Sequence, residues 1–262
     1  MKTIPSVRSV IGSILFFVYL VVYTPVHATL LLLLAPFLSI RNRYVLACKW
    51  NTCNIRMLKL LCGVNYSVEG LEHLPSTSAI VLAKHQSAWE TLAIPSVLQP
   101  RQLCMVYKKE LQYIPFFGWG IKMLRMVPID RKNGVEAFEQ IKKMAAQRMK
   151  EGAWMMFFPE GTRVPPGFKQ RYKTGGVRLA LATGVPIIPV AHDAGEYWKR
   201  KSFWKTAGTV TLRFGPPIHP EGHTVESLVS EVEQWIESQM HQISPHRYNS
   251  PDTPLLKTRK RQ

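Results

Sequence analysis

The chain is short of acidic side chains. Its 262 residues include 17 Asp and Glu against 34 Lys and Arg, which gives a formal net charge of +17 at pH 7. Such an excess predicts an anionic partner: nucleic acid, an anionic membrane surface or a phosphorylated substrate. The sequence has no aromatic-rich basic motif of a known nucleic-acid reader, so nucleic acid is the least favoured of the three. The hydrophobic content of 46% is enough for the packed core of one domain with an added segment.

Cysteine is also scarce, and its pattern excludes several kinds of site. The four cysteines form neither a C-x-x-C pair nor a metal-binding spacing with histidine: Cys48, Cys53, Cys62 and Cys104. We therefore expect free, buried thiols in a reducing compartment, and no metal site. The Gly-x-Ser-x-Gly elbow of many hydrolases is absent too, which argues against a thioesterase-like hydrolase.

Charge is missing altogether from Val10 to Leu38. This apolar stretch is long enough for one tilted transmembrane helix, which needs about 20 residues. Pro25 lies near its middle and could instead divide it into two short pieces that form a hairpin in one leaflet. Leucines continue from Leu30 to Leu34, past the weak cleavage-like site at residues 26–28, so a retained anchor is favoured over a cleaved signal peptide.

Basic residues flank the apolar stretch on both sides, which fits a hairpin with two cytoplasmic ends at least as well as a single span. They are Lys2 and Arg8 before it, and Arg41, Arg43, Lys49, Arg56 and Lys59 after it. The segment from Tyr44 to Leu61 is typical of a basic interfacial helix, with apolar area from Trp50, Ile55, Leu58 and Leu61. Anionic lipid then best explains the positive charge of the chain.

After Gly63 the pattern changes to short strands that alternate with helices. This predicts an α/β fold with a mostly parallel or mixed sheet flanked by helices. We divide the chain into a membrane-anchoring helical segment at 1–62, an α/β domain at 63–244 and a basic, flexible tail at 245–262. The segment Val185–Val190 contains two prolines, which predicts an edge strand or the wall of an apolar groove.

The first candidate for chemistry is His85, followed by Glu90 and preceded by the apolar strand Ala79–Ala83. Polar side chains just after a strand are where open α/β sheets place their chemistry. A base and a carboxylate that orients it are the minimum equipment for activating a hydroxyl. Positions five apart point away from each other on an ideal helix. His85 must therefore lie at or before a helix start, with Glu90 reaching back from the first turns.

A second candidate is the segment Phe157 to Arg163, which follows another buried strand. Gly161 lets backbone approach a ligand closely, and the planar fork of Arg163 suits phosphate oxygens. Glu160 could hold that fork in place.

Two further segments carry cations beside apolar residues. Pro128 to Arg131 ends a short apolar strand and places a cation at its exit. Lys108 and Lys109 precede the apolar, aromatic stretch Ile114–Trp119, a combination that an amphiphilic ligand requires.

Taken in order and spacing, these segments resemble the glycerolipid acyltransferase family, specifically the bacterial 1-acylglycerol-3-phosphate O-acyltransferases. The family motif Phe-Pro-Glu-Gly-Thr-Arg is matched in full at Phe158–Arg163, and the Asn-His-x4-Asp motif reads Lys84-His85-x4-Glu90. The other two motifs correspond to Ile129-Asp130-Arg131 and Val185–Val190. The resemblance spans roughly residues 64–214.

The resemblance implies transfer of an acyl chain from acyl-CoA or acyl carrier protein to the sn-2 hydroxyl of 1-acylglycerol-3-phosphate, giving phosphatidic acid. It implies no cofactor and no metal. The enzyme would work at the bacterial inner membrane, with its catalytic domain on the cytoplasmic side and anionic lipids as partners. Three alternatives for the acceptor stay open: another lysophospholipid, a lyso-aminolipid or glycerol-3-phosphate. A membrane-bound lipid-binding protein is the alternative outside enzymes.

On this resemblance each candidate residue has an expected role. His85 is the general base and Glu90 its orienter. The expected phosphate ligands are Arg131, Arg163, Lys108 and Lys109, and the expected supporting residues are Glu160, Gly161, Thr162 and Asp130. Ser87 is the only nearby nucleophile, and no covalent acyl-enzyme is required.

Overall fold

The computed structural model describes residues 6–129, 134–250 and 253–256, with the backbone alone described at 134–137. The described residues contain eight α-helices: α1 (Val7–Leu34), α2 (Ile40–Cys62), α3 (Trp89–Val97), α4 (Phe117–Met123), α5 (Gly134–Lys150), α6 (Gly175–Thr183), α7 (Ala194–Tyr197) and α8 (Val225–Ile243). They also contain seven strands: β1 (Val64–Glu69), β2 (Ile80–Ala83), β3 (Leu103–Lys108), β4 (Val127–Ile129), β5 (Trp154–Phe157), β6 (Ile187–His192) and β7 (Gly208–Phe214).

The chain forms two compact units. The first comprises the residues up to Val64, Thr91–Met156 and Phe203–Ala207; the second comprises Asn65–Glu90, Phe157–Ser202 and the chain from Gly208 onward. In the first unit, β3 pairs in parallel with both β5 and β4, in the register Leu103↔Trp154 and Val106↔Val127.

Helix α1 is one continuous helix that passes through Pro25. The break at Pro25 that a hairpin of two short pieces requires is therefore not present. Most of the apolar side chains of α1 are exposed, and the helix is long and apolar enough to cross a membrane. It packs against α2, where Gly12 is so close that a Cβ there would lie 2.1 Å from the carbonyl oxygen of Leu61.

Helix α2 begins after Ser39, whose hydroxyl accepts the Asn42 N–H, and ends at Gly63 with φ +68°. Its predicted apolar contribution to a membrane interface is wrong for Ile55 and Leu58. Both side chains are buried within the protein and are not exposed for contact with a membrane interface. α2 ends at Cys62, at the limit predicted for the anchoring segment; the three-segment division itself stays a prediction.

The strands of the second unit lie in the order β1-β7-β6-β2. β2 and β6 are parallel, whereas β6 and β7 are antiparallel. The prediction of a mixed sheet flanked by helices is thus confirmed, but the edge-strand alternative for Val185–Val190 is wrong. Pro186 precedes β6, so its missing N–H does not interrupt the strand. Pro189 lies within β6 and has no N–H to donate, but its carbonyl oxygen accepts the Gly215 N–H at 2.8 Å.

Helix α8 packs against β6 and α6 through a stripe of buried side chains four residues apart: Leu228, Val232, Ile236 and Met240. The segment after it is not free over its described length, contrary to the predicted flexible tail. Lys169 exchanges backbone hydrogen bonds with Pro254 and Leu256, and the side chain of Tyr248 is buried. Residues 251–252 and 257–262 lie outside the described residues.

Candidate active site

His85 lies in the short loop between β2 and α3, in the second unit. Glu90 lies in the first turn of α3, so the helix start separates the two residues as their spacing requires. His85 Nδ1 is 2.7 Å from Glu90 Oε1; the Glu90 side chain is fully buried and the His85 side chain is 15% exposed. The pair therefore has one end in the protein interior and the other at the surface.

The Glu90 carboxylate is held by backbone donors as well. Its Oε1 accepts the N–H groups of Gln86 at 3.0 Å and Ser87 at 2.9 Å. Burial alone would raise the pKa of Glu90, but its interactions with His192, His85 and the Ser87 N–H lower the pKa overall. An ionised carboxylate can only accept hydrogen bonds, so His85 Nδ1 donates to it, and Nε2 is the acceptor of the neutral imidazole.

The segment 158–164 contacts His85 at its backbone N–H, its carbonyl oxygen and its ring. Glu160 Oε2 accepts the His85 backbone N–H at 2.9 Å, and the Val164 N–H donates to the His85 carbonyl oxygen at 2.7 Å. The Phe158 ring stacks on the imidazole with centroids 3.9 Å apart and an interplanar angle of 17°. The structure thus brings together two of the segments that the sequence singled out.

The turn at Gly161 lies beside a lysine that sequence reasoning missed. Gly161 has φ +66°, and a Cβ at this position would lie 2.6 Å from the ammonium nitrogen of Lys173. The Lys173 N–H also donates to the carbonyl oxygen of Pro159 at 2.8 Å. Arg163 follows the turn, and its side chain is half-buried. Two cationic side chains therefore lie close to His85 along the chain or in space: Arg163 belongs to the segment that contacts His85, and Lys173 lies beside the Gly161 turn of that segment.

The sequence led us to expect that Glu160 holds the guanidinium of Arg163, but the structure gives its carboxylate other partners. Its carboxylate is buried, with Oε1 2.9 Å from Lys84 Nζ and Oε2 on the His85 N–H. Lys84 is itself fully buried and lies 2.7 Å from Glu237 Oε1. Burial alone would lower the pKa of Lys84, but the two carboxylates outweigh it and raise the pKa above its ordinary range. Lys84 is therefore a buried cation directly before His85.

A second histidine, His192 at the end of β6, also supports this loop. Its Nε2 lies 2.8 Å from the Lys84 carbonyl oxygen, and its Nδ1 accepts the Ala194 N–H at 3.3 Å. Burial lowers the pKa of His192. The neutral ring therefore donates from Nε2 and fixes the backbone of Lys84. The position of His192 at the end of an apolar strand was the signal that sequence reasoning passed over.

Ser87 is fully buried, and its hydroxyl donates to the Trp198 carbonyl oxygen at 2.7 Å. The Ser87 hydroxyl oxygen also accepts the Trp89 N–H at 3.2 Å, at the start of α3. These bonds stabilise the loop, and the Ser87 hydroxyl proton is already donated to a backbone carbonyl.

Four predicted residues are not among the contacts of the second unit described above. Lys108 ends β3 and Lys109 begins a 3-10 helix; both are exposed and belong to the first unit. Asp130 and Arg131 lie outside the described residues. Within the described ranges, the structure contains no group of three or more His, Cys, Asp or Glu side chains that could hold a metal ion.

A buried carboxylate beside a surface-reaching imidazole, at the end of an α/β strand and with cations on the adjoining turn, is an arrangement that can activate a hydroxyl. The family model described as "Acyltransferase" matches residues 65–193. The chain is 37% identical to 1-acyl-sn-glycerol-3-phosphate acyltransferase of Pseudomonas aeruginosa, over 98% of this chain and 100% of that one. It is 29% identical to 1-acyl-sn-glycerol-3-phosphate acyltransferase alpha of Mus musculus, over 76% of this chain and 70% of that one.

Among solved structures, the chain matches the crystal structure of the 1-acyl-sn-glycerophosphate (LPA) acyltransferase PlsC from Thermotoga maritima. The two are 25% identical with a TM-score of 0.74, over 90% of this chain and 96% of that one. The chain belongs to the acyltransferase family and is an enzyme, so a lipid-binding protein without catalysis is set aside. The family resemblance inferred from the motifs is confirmed.

Proposed function

We propose that this enzyme transfers an acyl group from a thioester donor to the sn-2 hydroxyl of 1-acylglycerol-3-phosphate, giving phosphatidic acid. The observation that carries the proposal is the 2.7 Å contact between His85 Nδ1 and the buried Glu90 carboxylate. The names of the relatives support the choice of acceptor, since a bacterial and a mammalian relative are both called 1-acyl-sn-glycerol-3-phosphate acyltransferases.

The proposed chemistry uses the two ring nitrogens of His85 differently: Nδ1 donates to Glu90, and Nε2 acts as the base. An alcohol has too high a pKa to attack a thioester unaided, so a positioned base is needed. His85 Nε2 would take the hydroxyl proton while the hydroxyl oxygen attacks the thioester carbon. Glu90 would stabilise the imidazolium that forms, as a carboxylate does in the serine hydrolase triad. When the carbon–sulfur bond breaks, the imidazolium would return the proton to the departing thiolate, so no covalent acyl-enzyme is needed.

The phosphate of the acceptor requires cations within reach of the base. Arg163 is our first choice of phosphate ligand because its segment is hydrogen-bonded to the His85 backbone. Lys173 joins it because its ammonium lies across the Gly161 turn. Arg131, Lys108 and Lys109 remain proposed phosphate ligands on the sequence pattern alone. Binding the phosphate would position the remote hydroxyl and raise the rate through orientation.

The donor and the cellular site belong to the same proposal. We propose acyl-CoA or acyl carrier protein as the donor substrate, with no cofactor. Helix α1 presents exposed apolar side chains, and the net charge of +17 favours anionic lipid. Together these features support anchoring to the bacterial inner membrane, with the catalytic residues on the cytoplasmic side.

The experiment that tests the proposal is an acceptor panel with matched histidine variants. The purified full chain is incubated with labelled acyl-CoA or acyl carrier protein and with 1-acylglycerol-3-phosphate, glycerol-3-phosphate, another lysophospholipid or a lyso-aminolipid. We expect product with the first acceptor, and we expect His85→Ala to abolish it. His73→Ala removes an exposed histidine of the same unit and should leave turnover unchanged. Substantial turnover by His85→Ala, or preference for another acceptor, would contradict the proposal.

A further inference from the structure

Both residues that flank His85 are held by the C-terminal part of the chain. Lys84 Nζ lies 2.7 Å from Glu237 Oε1 on α8, and Gln86 Nε2 donates to the Tyr248 hydroxyl at 3.1 Å. Glu237 and Tyr248 lie outside residues 65–193, the part of the chain that the family model matches. The catalytic loop therefore depends on side chains that the family motifs do not include.

The contacts from Glu237 continue to His85 without a gap. Glu237 contacts Lys84; Lys84 Nζ lies 2.9 Å from Glu160 Oε1; and Glu160 Oε2 accepts the His85 backbone N–H at 2.9 Å. The Lys84 and Glu160 side chains are fully buried, and that of Glu237 is 9% exposed. Water therefore has little access to replace any of these contacts, and each carboxylate depends on the same ammonium group.

We propose that Glu237 of α8 is a positioning residue for His85, acting through Lys84 and Glu160. The proposal rests on the proposed role of His85 as the general base. One ammonium group serves two carboxylates, and Tyr172 donates to Glu237 Oε1 at 3.0 Å. The position of Lys84 is thus set by Glu160 on one side and by Glu237 on the other. Glu160, in turn, sets the position of the His85 backbone.

The substitution Glu237→Gln removes the charge of Glu237 and preserves its size. The amide oxygen can still accept from Tyr172, so the packing of α8 should be kept. The ammonium of Lys84 then has one carboxylate left and moves toward Glu160, which changes the hold of Glu160 on the His85 N–H. A displacement of about 1 Å at a catalytic group can cost about 100-fold in rate. We therefore expect kcat to fall by about 10- to 100-fold, with KM for both substrates within twofold.

Glu233 provides a matched control on the same helix. It lies one turn before Glu237 and pairs with Lys169 at 2.9 Å, with both side chains partly exposed. Glu233→Gln removes the same charge from α8, but the carboxylate that it removes pairs with Lys169 and not with Lys84. We expect its kcat and KM to match those of the unchanged enzyme.

The test measures kcat, KM and the unfolding temperature of the full chain in detergent, for Glu237→Gln, Glu237→Asp, Glu233→Gln and Lys84→Met. Glu237→Asp keeps the charge and should recover most of the lost kcat. In the Lys84→Met background, Glu237→Gln should cost little more, because the intermediate contact is already gone. A kcat of folded Glu237→Gln within twofold of the unchanged enzyme would overturn the inference, whatever its unfolding temperature. So would equal losses in both backgrounds. An active His85→Ala would instead overturn the proposed function.

Discussion

The role of Glu90 can be tested most sharply by Glu90→Gln, because the structure determines which way the new amide must face. Glu90 Oε1 accepts from His85 Nδ1 and from the N–H groups of Gln86 and Ser87, whereas Oε2 accepts from Ser87 at 3.1 Å. An amide nitrogen in the place of Oε1 would face three donors. The amide oxygen should therefore take that place, and the imidazole should keep the proton on Nδ1.

The expected loss is then the loss of the carboxylate charge alone. Hydrogen bonds to charged groups contribute about 1.5–3 kcal/mol, against about 1 kcal/mol for neutral ones. The bond from the His85 imidazolium to Glu90 gains its charge only as the proton is transferred, so its weakening raises the barrier. Replacing the charged acceptor by a neutral one therefore costs about 0.5–2 kcal/mol, and we expect kcat to fall by about 2- to 30-fold, with KM little changed.

The assay is release of free thiol from the acyl donor at saturating acceptor, with the folded fraction determined separately. Glu90→Asp keeps a carboxylate and should retain at least about a tenth of kcat, the allowance for a contact displaced by less than about 1 Å. A kcat of Glu90→Gln equal to that of the unchanged enzyme would refute the orienting role. A loss of about 10⁴-fold would refute the orientation of the amide instead, because a reversed imidazole tautomer costs that much in the serine protease triad.

Three further predictions concern binding and stability. Arg163→Ala should raise KM for the phosphate-bearing acceptor by about 10- to 100-fold; a change in the donor KM alone would contradict its phosphate role. Burial raises the pKa of Asp193 to about 7, so the folded state binds the Asp193 proton more tightly than the unfolded state does. The stability that this proton contributes is lost as the pH rises towards 7. Asp193→Asn keeps an acceptor for the Thr211 N–H, and its unfolding temperature relative to the unchanged protein should increase between pH 5 and pH 8; a constant difference would refute this. Gly12→Leu should lower the unfolding temperature in detergent, because its Cβ would overlap a carbonyl oxygen of α2, and an unchanged temperature would contradict the close α1–α2 contact.

Local pattern was enough to predict much of the fold. Helix α8 follows from local pattern, because Thr224 and Ser227 cap its start and its apolar side chains recur at helical spacing. The fully buried strand β2 was predicted from its unbroken apolar run. The contact between His85 and Glu90 could be anticipated as well, since it spans five residues and depends only on where α3 begins.

What could not be predicted depends on partners far away in the sequence. Lysines are almost never fully buried without a partner, so Lys84 gave no local sign of its burial. Its two carboxylates come from Glu160 and Glu237, 76 and 153 positions further on. Residues 245–250 were predicted to be flexible for the same reason. Their composition is polar and basic, but Tyr248 finds its partner at Gln86, 162 positions away.

Two buried carboxylates adjoin His85, and their surroundings give them different capacities. Glu90 accepts from three groups and its pKa is lowered, so it stays ionised while a proton moves onto the imidazole. Burial raises the pKa of Glu160 to about 7 despite the opposing charge of Lys84, which Glu237 shares. Only Glu90 is therefore a dependable counter-charge for an imidazolium at neutral pH. Glu160 contacts the backbone N–H and not the ring, and its effect on the reaction must come through the position of His85.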